Sequence, residues 1–308
     1  MPAAKRPRSK KSERTSRRPG NSQAASAGGR AGPGGDPAGS GGDLAGDPRS
    51  AAGRVCLITG AGRGIGRATA VRLAAAGHRV ALTARSVDQL ADTARACAAV
   101  APDGLDATLM ISADVTEDGA VDAVFEQVEA AWGRVEILIA NAGGATSAPL
   151  VKITDEEWQQ ILDLNLTAPF RCLRRAVPTM KAQGYGRIVV IGSVASKRGE
   201  PYIAAYTAAK HGVLGLVRAA AAELATTGVT VNAVCPGYVD TPMTDGSVES
   251  IAKTTGRSAS EARHLLERKQ PIGRLITVDE VTEAVWFCVV NSAVTGQGIN
   301  VDGGAVQS

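Results

Sequence analysis

The chain has 308 residues, with 34 Lys and Arg against 30 Asp and Glu and a formal net charge of +4. Ten of these bases but only four of the acids lie in residues 1–50, so the remainder holds 24 bases and 26 acids and is slightly acidic. Without an excess of positive charge, that remainder gives no electrostatic reason to expect binding to nucleic acid or to a membrane surface.

Residues 1–52 begin with a basic run and continue as a Gly-, Ala- and Pro-rich stretch. Leu44 is the only large apolar residue in 19–53, so the segment cannot bury enough apolar surface to offset the entropy lost on ordering. We therefore expect a disordered tail, and the absence of an apolar core indicates that it is not a secretory signal. Two interpretations stay open for the basic run: a nuclear-localisation or nucleic-acid patch, and a dispensable extension, which we favour.

From residue 53 onward, short apolar runs alternate with segments of helical periodicity. The pattern predicts strands over 55–59, 79–84, 107–114, 135–140, 186–193, 229–235 and 297–304. It predicts helices over 64–77, 86–100, 117–133, 155–182, 204–226 and 278–290. Seven strands that alternate with helices predict an α/β, doubly wound, Rossmann-like parallel sheet, formed by a single domain over 53–308. The polar segment 241–272, with its own helical pattern before the last long helix, is predicted to form a lid.

A glycine-rich turn follows the first predicted strand. Gly60, Gly64 and Gly66 stand between a strand and a helix, where backbone amides and the helix dipole favour a pyrophosphate. Their Gly-x3-Gly-x-Gly spacing differs from the commoner dinucleotide-binding pattern. The turn predicts a dinucleotide site.

Two arginines decide which dinucleotide we expect. NAD sites usually place an acid about 20 residues after the glycine turn to bind the ribose 2′-hydroxyl. Here the second strand ends at Ala84 and Arg85, with no carboxylate before Asp88, and Arg63 lies in the glycine turn. Two guanidiniums without an acid suit a 2′-phosphate and predict NADP(H). The alternative is that one or both arginines face solvent.

Polar side chains follow the predicted strands at the edge where open α/β sheets bind ligands. Asn141 ends the fourth strand and Ser193 the fifth. Asn165 lies in the helix between them. Tyr206 and Lys210 are four residues apart in a predicted helix, which puts them on one face.

These motifs together resemble the short-chain dehydrogenase/reductase family. The resemblance rests on the turn at 59–66, Asn-Ala-Gly at 141–143, Asn165, Ser193, Tyr206-x3-Lys210 and Pro-Gly at 236–237, which occur in order over 54–304. It implies that Tyr206 is the acid/base and that Lys210 lowers the pKa of Tyr206 and holds the nicotinamide ribose. It also implies that Ser193 binds the substrate carbonyl and that Asn165 keeps a proton-relay water.

The resemblance further implies a cofactor site. Its residues would be Gly60, Arg63, Gly64, Ile65, Gly66, Arg85, Asp114, Val115, Asn141, Ala142, Gly143, Tyr206, Lys210, Pro236, Gly237, Val239 and Thr241. Asp114, Asn141 and Gly143 have an alternative interpretation as turn formers. The five cysteines are widely spaced without a Cys-x2-Cys pair, which predicts small buried side chains in a reducing cytoplasm and no metal ligation.

The substrate is the least determined property. The expected pocket walls are 144–147, 194–204, Tyr238, Val239 and the lid. The lid resembles those of ketoreductases that act on 3-oxoacyl thioesters and those of 3-hydroxybutyrate dehydrogenases, and we favour NADPH-dependent reduction of a 3-oxoacyl thioester carried by CoA or a carrier protein. The alternatives are a dehydrogenase of a small hydroxy acid or of a cyclic or polyketide alcohol and, more distantly, a non-enzymatic NADP(H)-binding regulator. The resemblance implies a homodimer or homotetramer.

Overall fold

The computed structural model describes residues 53–102 and 107–307, so the predicted tail over 1–52 lies outside the described residues. One seven-stranded sheet forms the centre of this part of the chain, and every neighbouring pair of strands is parallel. The strands are β1 Val55–Thr59, β2 Arg79–Ala84, β3 Thr108–Ser112, β4 Ile137–Ala140, β5 Gly186–Ile191, β6 Val229–Pro236 and β7 Gly298–Val301. Their order, β3-β2-β1-β4-β5-β6-β7, confirms the predicted doubly wound fold.

Helices cover both faces of the sheet. They are α1 Gly64–Ala75, α2 Val87–Ala98, α3 Ala120–Trp132, α4 Asp155–Leu162, α5 Ala168–Gln183, α6 Ala204–Leu224, α7 Pro242–Thr255, α8 Ala259–Arg268 and α9 Val278–Val290. None of the helices in the described part of the chain is long and apolar enough to span a bilayer.

The alternation of side chains along the strands builds two separate cores. Leu57 of β1 packs in a cluster with Phe125 of α3 and with buried residues of α5 and α6. Its neighbour Ile58 points to the opposite face and packs with Leu73 of α1 and with residues of α2 and α9. Successive side chains of a strand point to opposite faces, so both faces are apolar and buried. All five cysteines are buried and free, and their burial was predicted.

The direction of the strand order reverses between β1 and β4. From β1 the chain first adds β2 and β3 on one side, and it then returns to add β4 to β7 on the other. The carboxyl ends of β1 and β4 therefore border a crevice, which is where open α/β sheets bind their ligands.

The segment 155–182 is helical, as predicted, but it is not one regular α-helix. A π-helical turn, Asp163–Thr167, separates α4 from α5. Pro169 lies in the first turn of α5 and has no amide hydrogen to continue the regular ladder. The side chain of Asn165 takes over part of that ladder, since its amide donates to the carbonyl of Ile161 at 2.9 Å.

The segment 241–272 also differs from its prediction. The sequence showed one helical pattern there, whereas the structure has two helices, α7 and α8, between β6 and α9. Gly256 ends α7 with φ of 72°, a left-handed conformation in which glycine carries no steric cost. Several predicted boundaries are too generous: the strand expected over 107–114 covers only Thr108–Ser112, and the one over 297–304 only Gly298–Val301.

Candidate active site

The glycine turn between β1 and α1 forms a cradle that no larger residue can line. A Cβ on Gly66 would lie 2.2 Å from the carbonyl oxygen of Gly60 and 2.5 Å from Nδ2 of Asn141. Gly60 itself has φ of 66°, and a Cβ there would lie 2.9 Å from Cα of Ala142. The turn therefore stays open at the N-terminus of α1, an end at which helix amides have no partners within the helix and favour anions.

Asn141 joins the ends of β1 and β4. Its side-chain amide donates to the carbonyl oxygens of Thr59 at 2.9 Å and Gly60 at 3.0 Å. The backbone amides of Asn141 and Ala142 both donate to the hydroxyl of Thr59 at 3.0 Å. These bonds fix the glycine turn against the Asn-Ala-Gly segment, so Asn141 acts as a turn former and also lines the crevice.

Arg85 and Asp114 lie at the carboxyl ends of β2 and β3. Their charged groups are 3.6 Å apart, and the Arg85 side chain is 80% exposed. Partial burial acts to raise the pKa of Asp114, but hydrogen bonds from Thr116 and the charge of Arg85 outweigh it and lower that pKa. Arg63, at the N-cap of α1, is exposed as well. Both guanidiniums are therefore accessible from solvent beside the glycine turn.

Asn165 is fully buried in the π-helical turn. Besides its bond to Ile161, its amide donates to the carbonyl of Gly144 at 2.9 Å, and its oxygen accepts from the Gly144 amide at 3.3 Å. The irregular turn thus fixes the loop after β4 to the helix behind it.

Ser193 follows β5 and begins a short 3₁₀ turn, Val194–Ser196. Its hydroxyl oxygen accepts from the amide of Ala195 at 3.0 Å, while its own amide donates to the hydroxyl of Ser196 at 3.1 Å. Because Oγ accepts from the backbone, its hydrogen is left to donate to another group.

Tyr206 and Lys210 lie on α6, with the ammonium 5.6 Å from the centre of the phenol ring. Lys210 is 4% exposed and donates to the carbonyl of Ile191, the last residue of β5, at 2.8 Å. Burial lowers the pKa of Lys210 to about 8. Burial also raises the pKa of Tyr206 to about 12, against the lowering effect of its hydrogen bond with Ser193.

The lowering of the Tyr206 pKa by Lys210, which the resemblance implies, therefore stays a prediction, and in this structure that pKa is raised. The physical reason is desolvation, which disfavours the phenolate more than the neighbouring groups stabilise it.

One cleft at the carboxyl edge of the sheet brings these side chains together. Its lining residues are Ile65, Asn141, Gly143, Gly144, Asn165, Ile191, Gly192, Ser193, Tyr206, Lys210, Pro236, Gly237, Val239, Thr241, Met243 and Thr244. The other predicted cofactor residues lie along the same edge, in the glycine turn and beyond the ends of β2, β3 and β4: Gly60, Arg63, Gly64, Gly66, Arg85, Asp114, Val115 and Ala142. Within 53–102 and 107–307, no group of three or more His, Cys, Asp or Glu is placed to hold a metal ion.

Comparison with known proteins decides the family. The model of the short-chain dehydrogenase family matches residues 54–252. The chain is a short-chain dehydrogenase.

This short-chain dehydrogenase is 40% identical over 253 residues to the 3-oxoacyl-acyl-carrier-protein reductase MabA of Mycobacterium avium, covering 82% of this chain and 89% of MabA. A variant of actinorhodin polyketide ketoreductase, solved with NADPH, superposes with a TM-score of 0.78 at 36% identity, over 82% of this chain and 97% of that one. Levodione reductase superposes with a TM-score of 0.76 at 33% identity, over 82% and 96%.

Sequence reasoning missed residues that support this dehydrogenase's site without lining the cleft. Thr59 was visible in the turn motif, but nothing indicated that its hydroxyl accepts hydrogen bonds from two backbone amides of the loop after β4. Ser196 was expected only as part of a pocket wall, yet its hydroxyl accepts from the Ser193 amide. A serine three residues after an N-cap serine is the signal that could have revealed it.

Proposed function

We propose that this short-chain dehydrogenase reduces the ketone of a 3-oxoacyl thioester, carried by CoA or a carrier protein, to a secondary alcohol with NADPH. The observation that carries the proposal is one cleft lined by Asn165, Ser193, Tyr206 and Lys210 beside an open glycine cradle. The similarity to MabA and to actinorhodin polyketide ketoreductase supports the substrate class.

The exposed guanidiniums of Arg63 and Arg85 fit the 2′-phosphate of NADPH, and the glycine cradle fits its pyrophosphate. Arg85 pairs with Asp114 at 3.6 Å but stays 80% exposed, so its guanidinium remains accessible to a phosphate. When bound, NADPH supplies the hydride that is added to the carbonyl carbon.

The side chains of the cleft would supply everything else. Ser193 donates its hydroxyl hydrogen to the carbonyl oxygen and orients it. Tyr206, whose pKa of about 12 keeps it a neutral phenol at pH 7, gives its proton to the same oxygen as the alcohol forms. That step leaves a phenolate, which the ammonium of Lys210 stabilises across the short distance between them.

A substrate panel tests the proposal. Acetoacetyl-CoA, a 3-oxoacyl carrier protein, a cyclic ketone and a small 3-oxo acid are each mixed with the protein and NADPH, and the loss of NADPH absorbance is followed. We expect the highest kcat/KM for a thioester, and the same rate constant measured for Tyr206→Phe serves as the control. Preference for a free ketone or acid by tenfold or more would contradict the assignment.

A second candidate is reduction of a cyclic ketone. The similarity to levodione reductase favours it, and the same panel separates it from the first, because a cyclic ketone carries no thioester.

For its assembly and location, we propose a homodimer or homotetramer in the cytoplasm. The alanine-rich helix α6 has few bulky side chains and so permits close packing against another helix, and five free buried cysteines suit a reducing compartment. Analytical ultracentrifugation of the purified protein tests the assembly, and a monomer would contradict it.

A further inference from the structure

A cluster of charges connects the segment 241–272, which we call the lid, with the loop 197–203 that follows the catalytic serine. Glu200 lies in this loop, and only 9% of its side chain is exposed. One carboxylate oxygen accepts from the ammonium of Lys269 at 3.0 Å, and the other pairs with the guanidinium of Arg198. Lys269 caps the C-terminus of α8. The carboxylate therefore bridges the loop and the lid.

Residues 269 and 270 also hold the chain that leaves β6. The ammonium of Lys269 donates to the phenol oxygen of Tyr238 at 3.1 Å. Gln270 is buried, and its side chain accepts from the Tyr238 amide at 2.8 Å and donates to the Tyr238 carbonyl at 3.1 Å. Tyr238 packs against a buried apolar cluster that includes Val248 of α7 and Leu266 of α8. The end of α8 is thus fixed to a segment that begins at cleft-lining Gly237.

The loop that presents Glu200 is held in a costly conformation. Tyr202 has φ of 70° and is the only non-glycine residue in the described ranges with a positive φ. The Ala148 amide donates to its carbonyl at 2.8 Å, and Arg198 donates to the carbonyl of Ala305 at 2.8 Å. Strained backbone of this kind persists only where the surroundings determine it, and it is common at ligand clamps.

The burial of Glu200 makes its contact with the lid more than an ordinary surface ion pair. A largely buried carboxylate is costly unless it is paired and hydrogen-bonded, and both of its oxygens are satisfied only when Lys269 is docked. Movement of α8 away from the loop would separate this pair and leave the carboxylate paired with Arg198 alone. The contacts therefore favour the docked position of the lid.

We propose that Glu200 and Lys269 form a latch that positions the lid over the substrate cleft and so sets substrate affinity without entering the chemical step. This inference rests on the proposed function, because it takes the cleft as the binding place of the carbonyl substrate. Both are positioning residues, since they act through Tyr238 and the lid helices.

Steady-state kinetics with the substrate that the panel identifies tests the latch. Glu200→Gln and Lys269→Gln keep the shape or length of the side chain but remove one charge of the pair. We expect KM to rise about three- to tenfold, the effect of losing a part-buried ion pair, with kcat within about twofold. Lys269→Arg keeps the charge and should restore most of the affinity.

The double variant shows whether the two side chains act as one unit. If the latch exists, Glu200→Gln combined with Lys269→Gln is hardly worse than either single variant, because neither group has a partner left to lose. The matched control is Arg274→Gln. This substitution breaks an ion pair of 2.6 Å with Glu280, and neither residue belongs to the loop 197–203. Additive effects on KM, or a loss of kcat at unchanged KM, would overturn the proposal.

Limited trypsin digestion gives a readout that does not depend on turnover. Lys253 in the last turn of α7 and Arg257 between the lid helices are both exposed, and cleavage after them is followed by mass spectrometry. We expect severalfold faster cleavage in both latch variants and an unchanged rate in Arg274→Gln. Should Glu200→Gln fail to fold, the more exposed Lys269→Gln decides the result. Faster cleavage in a protein that reduces no ketone would contradict the proposed function alone, whereas unchanged cleavage and KM would contradict the latch alone.

Discussion

Replacing Lys210 by methionine should abolish activity and at the same time stabilise the fold. Lys210 is 4% exposed, and burial lowers its pKa from 10.5 to about 8. The ammonium is therefore less stable in the folded protein than it is in water. That shift corresponds to about 3 kcal/mol of destabilisation at pH 7. Methionine removes this cost but leaves the Ile191 carbonyl without its donor, a loss of about 1 kcal/mol. The net expectation is a gain of about 2 kcal/mol in the free energy of unfolding.

The pH dependence of this gain is its internal control. Below pH 8 the folded and unfolded chains both carry the charge and the full cost of burial applies. Between pH 8 and 10.5 the folded protein has lost a proton that the unfolded chain still holds, so wild-type stability rises with pH through this group. Urea unfolding of both proteins at pH 7 and pH 10 measures the difference, and other groups cancel in the comparison. A variant that is less stable than wild type at pH 7, or a gain that does not shrink at pH 10, would refute the reasoning.

Three further substitutions test other parts of the site. Tyr206→Phe removes only a hydroxyl, so melting temperature and NADPH binding should be retained while carbonyl reduction falls about 10²- to 10⁴-fold; a variant that keeps a tenth of wild-type kcat/KM would exclude Tyr206 as the proton donor. Arg85→Asp removes a charge-assisted contact worth about 1.5–3 kcal/mol, so the ratio of kcat/KM for NADPH over NADH should fall at least about tenfold; wild-type preference for NADH would contradict the assignment. Gly66→Ala places a Cβ 2.2 Å from the Gly60 carbonyl and 2.5 Å from the Asn141 amide. Fluorescence titration should therefore detect weakened NADPH binding, and calorimetry should detect a lower melting temperature. Unchanged values for both would show that the cradle has room for the methyl group.

The sequence predicted those parts of the fold and site that depend on short spacing. Alternation of apolar runs and helices was enough for the seven parallel strands, since each strand is buried on both faces. The pair Tyr206 and Lys210 was visible because residues four apart share a helix face. The π-helical turn at Asp163–Thr167 was not, because a helical pattern does not show where one hydrogen bond is replaced by the side chain of Asn165.

Contacts between distant segments could not be predicted from the sequence for a different reason. Glu200 and Lys269 are 69 residues apart, and either charge alone is typical of a solvated surface. The resemblance implied a low pKa for Tyr206, yet the motif contains no information on how far the fold removes the phenol from water. Properties that depend on desolvation could therefore be assessed only from the structure.

The two perturbed pKa values together define the protonation state of the cleft at neutral pH. With a pKa of about 12 for Tyr206 and about 8 for Lys210, both groups hold their protons at pH 7, which is the state that donates to a carbonyl oxygen. Oxidation of an alcohol would instead need the phenolate, and burial disfavours that form. The charge of Lys210 acts in the opposite sense, because an ammonium stabilises the phenolate and does little for a neutral phenol, but desolvation is the larger effect on the pKa of Tyr206. The desolvation that destabilises the fold at α6 therefore also sets the protonation state of the cleft when substrate binds.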